Sequence, residues 1–95
     1  MAVVVVNNGF INALGKGPIL TGELISGDIS VGDVLIVNND LEIPIVEVNI
    51  KIFSGKRSFD LTIPRSYDTE PKWYELYGSK FEIKNTAYNN AQPQS

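Results

Sequence analysis

Leu41-Glu42-Ile43-Pro44-Ile45-Val46-Glu47-Val48-Asn49-Ile50-Lys51-Ile52 alternates apolar and polar residues, and the alternation slips once. Ile43 and Ile45 hold one phase; Val46, Val48, Ile50 and Ile52 hold the other. Strand side chains point alternately to opposite faces, so a one-residue slip needs a bulge or a crossing between sheet positions. The reading places it at Ile45-Val46. Pro44 fits there, because a residue without an N–H belongs at edges and bulges.

Outward from this stretch the chain keeps reading as short strands. Downstream, Phe53-Ser54-Gly55-Lys56-Arg57 turns the chain, and Phe59, Leu61 and Ile63 alternate until Pro64. Upstream, Val34-Leu35-Ile36-Val37 is a short apolar strand. It follows a loop, residues 27–33, whose Ile29 and Val31 are expected to fold inward as a plug. Residues 19–25 form a strand interrupted by Gly22, the mark of a bend or a close backbone approach. The opening Val3-Val4-Val5-Val6 strand passes a bulge at Asn7-Asn8-Gly9 and continues as Phe10-Ile11-Asn12-Ala13-Leu14. After a polar loop, Thr69 is expected to cap a short helical turn near Pro71. Trp73, Leu76 and Tyr77 then face the core, Gly78 ends the turn, and Phe81 and Ile83 mark the last strand. Seven or so short strands with closely spaced turns predict an all-β fold, a small closed or nearly closed antiparallel β-barrel. Residues 1–84 form this single domain; the polar residues 85–95 are expected to be a disordered tail. The expected core is Ile19, Leu24, Leu35, Val37, Val48, Ile50, Leu61, Phe81 and Ile83.

Composition narrows the chemistry. In 95 residues there is no cysteine and no histidine, which removes disulfides, thiolate nucleophiles, Cys-type zinc sites and the usual general base. No enzyme activity is expected. Without covalent staples or an 18-residue apolar run, the chain is expected to be cytoplasmic and not membrane-bound. Asp28, Asp33, Asp40 and Glu42 match no EF-hand spacing, and turn chemistry accounts for the aspartates, so no metal or cofactor is expected. Gly15-Lys16 lacks the upstream glycine and the following Ser or Thr of a phosphate loop, so no nucleotide is expected either.

The net charge of −3 gives no general attraction to phosphate, yet charge is unevenly placed. Residues 23–47 hold six acids and no base, whereas residues 51–65 hold Lys51, Lys56, Arg57 and Arg65 against Asp60 alone. Trp73 and Tyr74 follow the basic stretch closely. Aromatics interleaved with cations stack on bases or anchor protein partners, so Arg65, Trp73, Tyr74, Lys51, Lys56 and Arg57 are the candidate partner-binding residues. Tyr74, pointing opposite to Trp73 and Tyr77, is the one expected in solvent.

The run Gly15-Lys16-Gly17-Pro18-Ile19-Leu20-Thr21-Gly22-Glu23-Leu24-Ile25-Ser26-Gly27-Asp28-Ile29-Ser30-Val31-Gly32-Asp33 resembles the second domain of translational GTPases, the elongation factor Tu domain 2 family. Its glycines sit at that family's spacing. Leu61-Thr62-Ile63-Pro64-Arg65 and Tyr77-Gly78-Ser79-Lys80-Phe81-Glu82-Ile83 extend the likeness over residues 10–84. The resemblance implies a barrel and contacts with RNA (the tRNA acceptor end or the ribosome). The family's GTPase domain and its phosphate loop are not found in this sequence, so a free-standing barrel is expected. Glu23 and Ser26 stand where family members often carry bases, which argues against an RNA contact on that face. The expected function is a non-enzymatic binding module recognising a macromolecular partner, protein in preference to RNA.

Overall fold

A computed structural model of the chain describes residues 1–11, 16–67 and 71–86. Seven strands make one antiparallel sheet: β1 (Ala2–Ile11), β2 (Pro18–Ser26), β3 (Val34–Asn38), β4 (Leu41–Pro44), β5 (Glu47–Phe53), β6 (Lys56–Thr62) and β7 (Ser79–Lys84). Single 3-10 turns lie at Arg65–Tyr67 and Trp73–Glu75. The strand order is β4-β3-β7-β1-β2-β6-β5, so two consecutive strands, β4 and β5, form the two outer edges.

The phase slip explains that arrangement. Ile45 and Val46 lie outside both strands and bond to opposite sides of the sheet. Ile45 N donates to Asp33 O at 2.9 Å, on the β3 side, while Val46 N donates to Thr62 O at 2.8 Å, on β6. One peptide step therefore carries the chain from one edge to the other. The sheet curls into a half-barrel but does not close: β4 and β5 share no ladder, which corrects the closed reading. The physical reason is that β4 is four residues long and ends at Pro44, so the chain leaves it before a ladder to β5 can start.

The concave face holds the core. Ala2, Val4 and Val6 of β1, Leu20 and Leu24 of β2, Leu35, Ile43, Ile45, Phe59, Leu61, Ile63, Phe81 and Ile83 are buried there. Of the expected core, Leu24, Leu35, Leu61, Phe81 and Ile83 are buried, and Val37, Val48 and Ile50 pack half-buried against them. Ile19 is corrected: Leu20 faces the core, and Ile19 takes the opposite face. Pairing with β1 and β6 fixes that phase, and Gly17 lets β2 begin close to β6, since a Cβ there would lie 2.0 Å from Ile63 O. Val31 is also corrected, being 58% exposed, whereas Ile29 does plug the core.

Two other local expectations hold. The register of β1 against β2 shifts between Val6 and Asn8, the bulge expected there. Gly22 is a close approach, with a Cβ placed on it 1.8 Å from Val5 O. Thr69 lies outside the described residues; Lys72 is the residue before the Trp73–Glu75 turn, and its side chain makes no capping bond. Among the described residues, no helix is long and apolar enough to cross a membrane.

Candidate functional site

Trp73 and Tyr74 are adjacent, and the turn they open sends them in opposite directions. Trp73 is 7% exposed and belongs to the core, so it is a support and not an exposed anchor. Its indole Nε1 donates to Tyr67 O at 3.1 Å, tying this turn to the Arg65–Tyr67 turn. Downstream, Gly78 N donates to Val6 O at 2.7 Å and Tyr77 Oη donates to Gly9 O at 3.2 Å, which pins the segment to β1. Leu76 packs on the core between them. Tyr74 stands on this base with 67% of its surface in solvent. An aromatic ring on a fixed backbone loses little conformational freedom on binding, which is the property of an interface anchor. Arg65, at the start of the neighbouring turn, is exposed.

The other candidate cations do not join it. Lys51 and Lys56 lie on the convex face, whereas Arg57 shares the phase of Phe59 and Leu61 and points to the concave side. Arg57 is spent locally, its guanidinium 3.3 Å from the Asp28 carboxylate. Lys51 Nζ lies 3.6 Å from Asp60 Oδ2. Arg65 follows the far end of β6, a seven-residue strand about 20 Å long, from the hairpin that carries Lys56. The basic stretch of the sequence is thus divided between two faces and two ends of the sheet.

The acidic stretch is likewise broken up. Asp28 is bridged by Arg57, and Glu47 by Lys16 at 3.2 Å. Asp33 is buried: its Oδ2 accepts from Ser30 N at 2.8 Å and from Asn85 Nδ2 at 2.9 Å. Asn85 also donates to Asp28 O, and Thr86 Oγ1 to Gly32 O, so these first two residues of the expected tail are bonded to the residue 27–33 loop. Residues 87–95 lie outside the described residues. A hollow lined by Met1, Gly27, Asp28, Ser30, Asp33 and Asn85 opens beside this cluster. Its one buried carboxylate is engaged by the loop and by Asn85, the arrangement of a structural clasp. Among the described residues, no three His, Cys, Asp or Glu side chains gather as a metal site.

Exposed apolar residues were the part that residue types alone did not reveal. Ile52 is 73% and Phe53 80% exposed, at the tip of the β5–β6 hairpin. Their position just before the Ser54-Gly55 turn is the available signal, since apolar residues flanking a protruding turn have nothing to pack on. Ser54 and Gly55 take φ of 53° and 76°, the left-handed pair that a two-residue hairpin requires. In comparisons with known proteins, no family model, no curated protein and no solved structure matches this chain.

Proposed function

We propose that the chain is a non-enzymatic binding module that recognises a protein partner, with Tyr74 as the anchor and Arg65, on the turn tied to it through Trp73, as a polar contact. The observation that carries this is Tyr74 itself, two-thirds exposed on a turn held by the buried Trp73. A relation to the translation-factor barrels belongs to the proposal and rests on the spacing of Gly17, Gly22, Gly27, Gly32 and Asp33. A cytoplasmic setting belongs to it too, resting on the absence of cysteine.

The placement of charge supports protein over RNA. Phosphate binding draws on cations gathered along one groove. Here Lys51 and Lys56 share a hollow that also holds Glu23 and Asp60, Arg57 and Arg65 stand apart from them, and Lys51 and Arg57 are already paired with acids. The test is a titration of tRNA and short single strands across a salt series, run beside affinity capture with wild type and Tyr74→Ala. The expected result is no salt-steep RNA binding and a captured protein lost with Tyr74. Four phosphate contacts on a single strand would instead give a log–log slope near about −3. Such a slope, flattened by neutralising Arg57 and Arg65, establishes the RNA reading in place of this one.

A further inference from the structure

The two edges of the sheet are protected very differently. The β4 edge is four residues long, carries Pro44 and pairs irregularly with β3, the register shifting between Ile36 and Asn38. These are the devices that keep an edge from pairing with another chain. The β5 edge has seven residues, no proline and an unbroken register with β6 from Glu47 to Phe53. Among the described residues no strand pairs with its other side. Counting back from the Ser54-Gly55 turn, the alternation of an antiparallel ladder turns the N–H and C=O groups of Val48, Ile50 and Ile52 away from β6. The side chains of this edge also form an apolar ridge on one face: Val46 at 43% and Ile52 at 73% exposure flank the half-buried Val48 and Ile50.

We infer that β5 pairs antiparallel with β5 of a second copy of this chain, about a two-fold axis through Asn49. The charge pattern selects both the occupant and the register. In that register Glu47, which Lys16 bridges within its own chain, lies directly across from Lys51 of the second copy. Lys51, 3.6 Å from its own Asp60, lies across from Glu47 of the second copy, so each end of the pair becomes a mixed-sign cluster. On the other face, Val48 meets Ile50 of the second copy and Ile52 meets its Val46, covering both exposed residues. Asn49 meets Asn49 on the axis. A parallel pair in register would bring Glu47 beside Glu47 and Lys51 beside Lys51, which like charges oppose. The contact is isologous and closes at two copies, joining two seven-stranded sheets into one. A single strand edge buries less than the ~1,200 Å² of total surface typical of stable complexes, so the dimer is a weak one that dissociates on dilution.

Sedimentation equilibrium over a concentration series tests this with wild type, Lys51→Glu and the double variant Glu47→Lys/Lys51→Glu. Wild type should approach twice the monomer mass at the highest concentrations. Lys51→Glu, which sets two acids against each other at both ends of the pair, should weaken association about ten-fold, and the double variant should restore it. Tyr74→Ala should leave association unchanged, which separates this inference from the partner-binding proposal. Amide exchange on wild type supplies a readout that needs no variant: the Val48 and Ile50 amides should slow as concentration rises. A monomer up to about 1 mM, far above the range of specific weak dimers, overturns the inference. So does a charge swap that fails to restore a folded double variant, or β5 amides whose exchange is independent of concentration.

Discussion

Gly22 sits in the middle of β2, where most residues would make a better strand. It is there because the backbone of β1 comes so close: a Cβ would lie 1.8 Å from Val5 O and 3.0 Å from the Phe59 ring. Neither neighbour yields readily, one being backbone in the sheet and the other the largest fully buried side chain. Gly22→Ala should therefore cost about 2–4 kcal/mol in chemical denaturation. Gly55→Ala meets open space and costs only what φ of +76° imposes on a side chain, about 1–2 kcal/mol. A Gly22→Ala protein as stable as wild type would remove the close approach from the account of the fold.

At the scale of the element, the residue 27–33 loop is held by a polar clasp as well as by its apolar plug, Ile29. The Asp33 carboxylate receives the loop's own Ser30 N–H and the Asn85 amide from the end of β7, while Asp33 backbone atoms bond Ser30 and Ile45. Asp33→Ala removes the charged acceptor shared by the Ser30 N–H and the Asn85 amide and should cost about 2–3 kcal/mol; Asn85→Ala should cost about 1 kcal/mol. Thermal unfolding of both variants checks the ranking, and a milder loss at Asp33 than at Asn85 would contradict it. This clasp shows where sequence reading stopped. Turn chemistry was legible at Asp33, but its partner stands 52 residues away, just past the end of β7. The slip at Ile45-Val46, the bulge at Asn7 and the closeness at Gly22 were legible because each is a local conflict between residue type and strand geometry. The choice of Leu20 over Ile19 for the core was not, since both are apolar neighbours and the pairing of β2 with β1 and β6 sets the phase. Nor was the failure to close, which depends on how far β4 runs before Pro44.

Across the whole molecule, the curl of the sheet decides which neighbours along the chain remain neighbours in space. The basic run from Lys51 to Arg65 reads as one patch in the sequence, yet strand alternation and the length of β6 disperse it. The aromatic cluster does the reverse. Segments from β1, the Arg65–Tyr67 turn and the Trp73–Glu75 turn converge, bury Trp73 and lift Tyr74. Trp73→Ala would remove a core residue and disturb the fold together with any surface, so it cannot isolate recognition. Tyr74→Ala can, because a side chain this exposed should change stability by no more than about 0.5 kcal/mol. The decisive measurement is the equilibrium affinity of a captured protein partner for wild type and for Tyr74→Ala, with thermal unfolding as the control on fold. Loss of an aromatic anchor should weaken binding about 30-fold, the equivalent of roughly 2 kcal/mol, with unfolding unchanged. Equal affinity of the two folded proteins would contradict recognition through this surface.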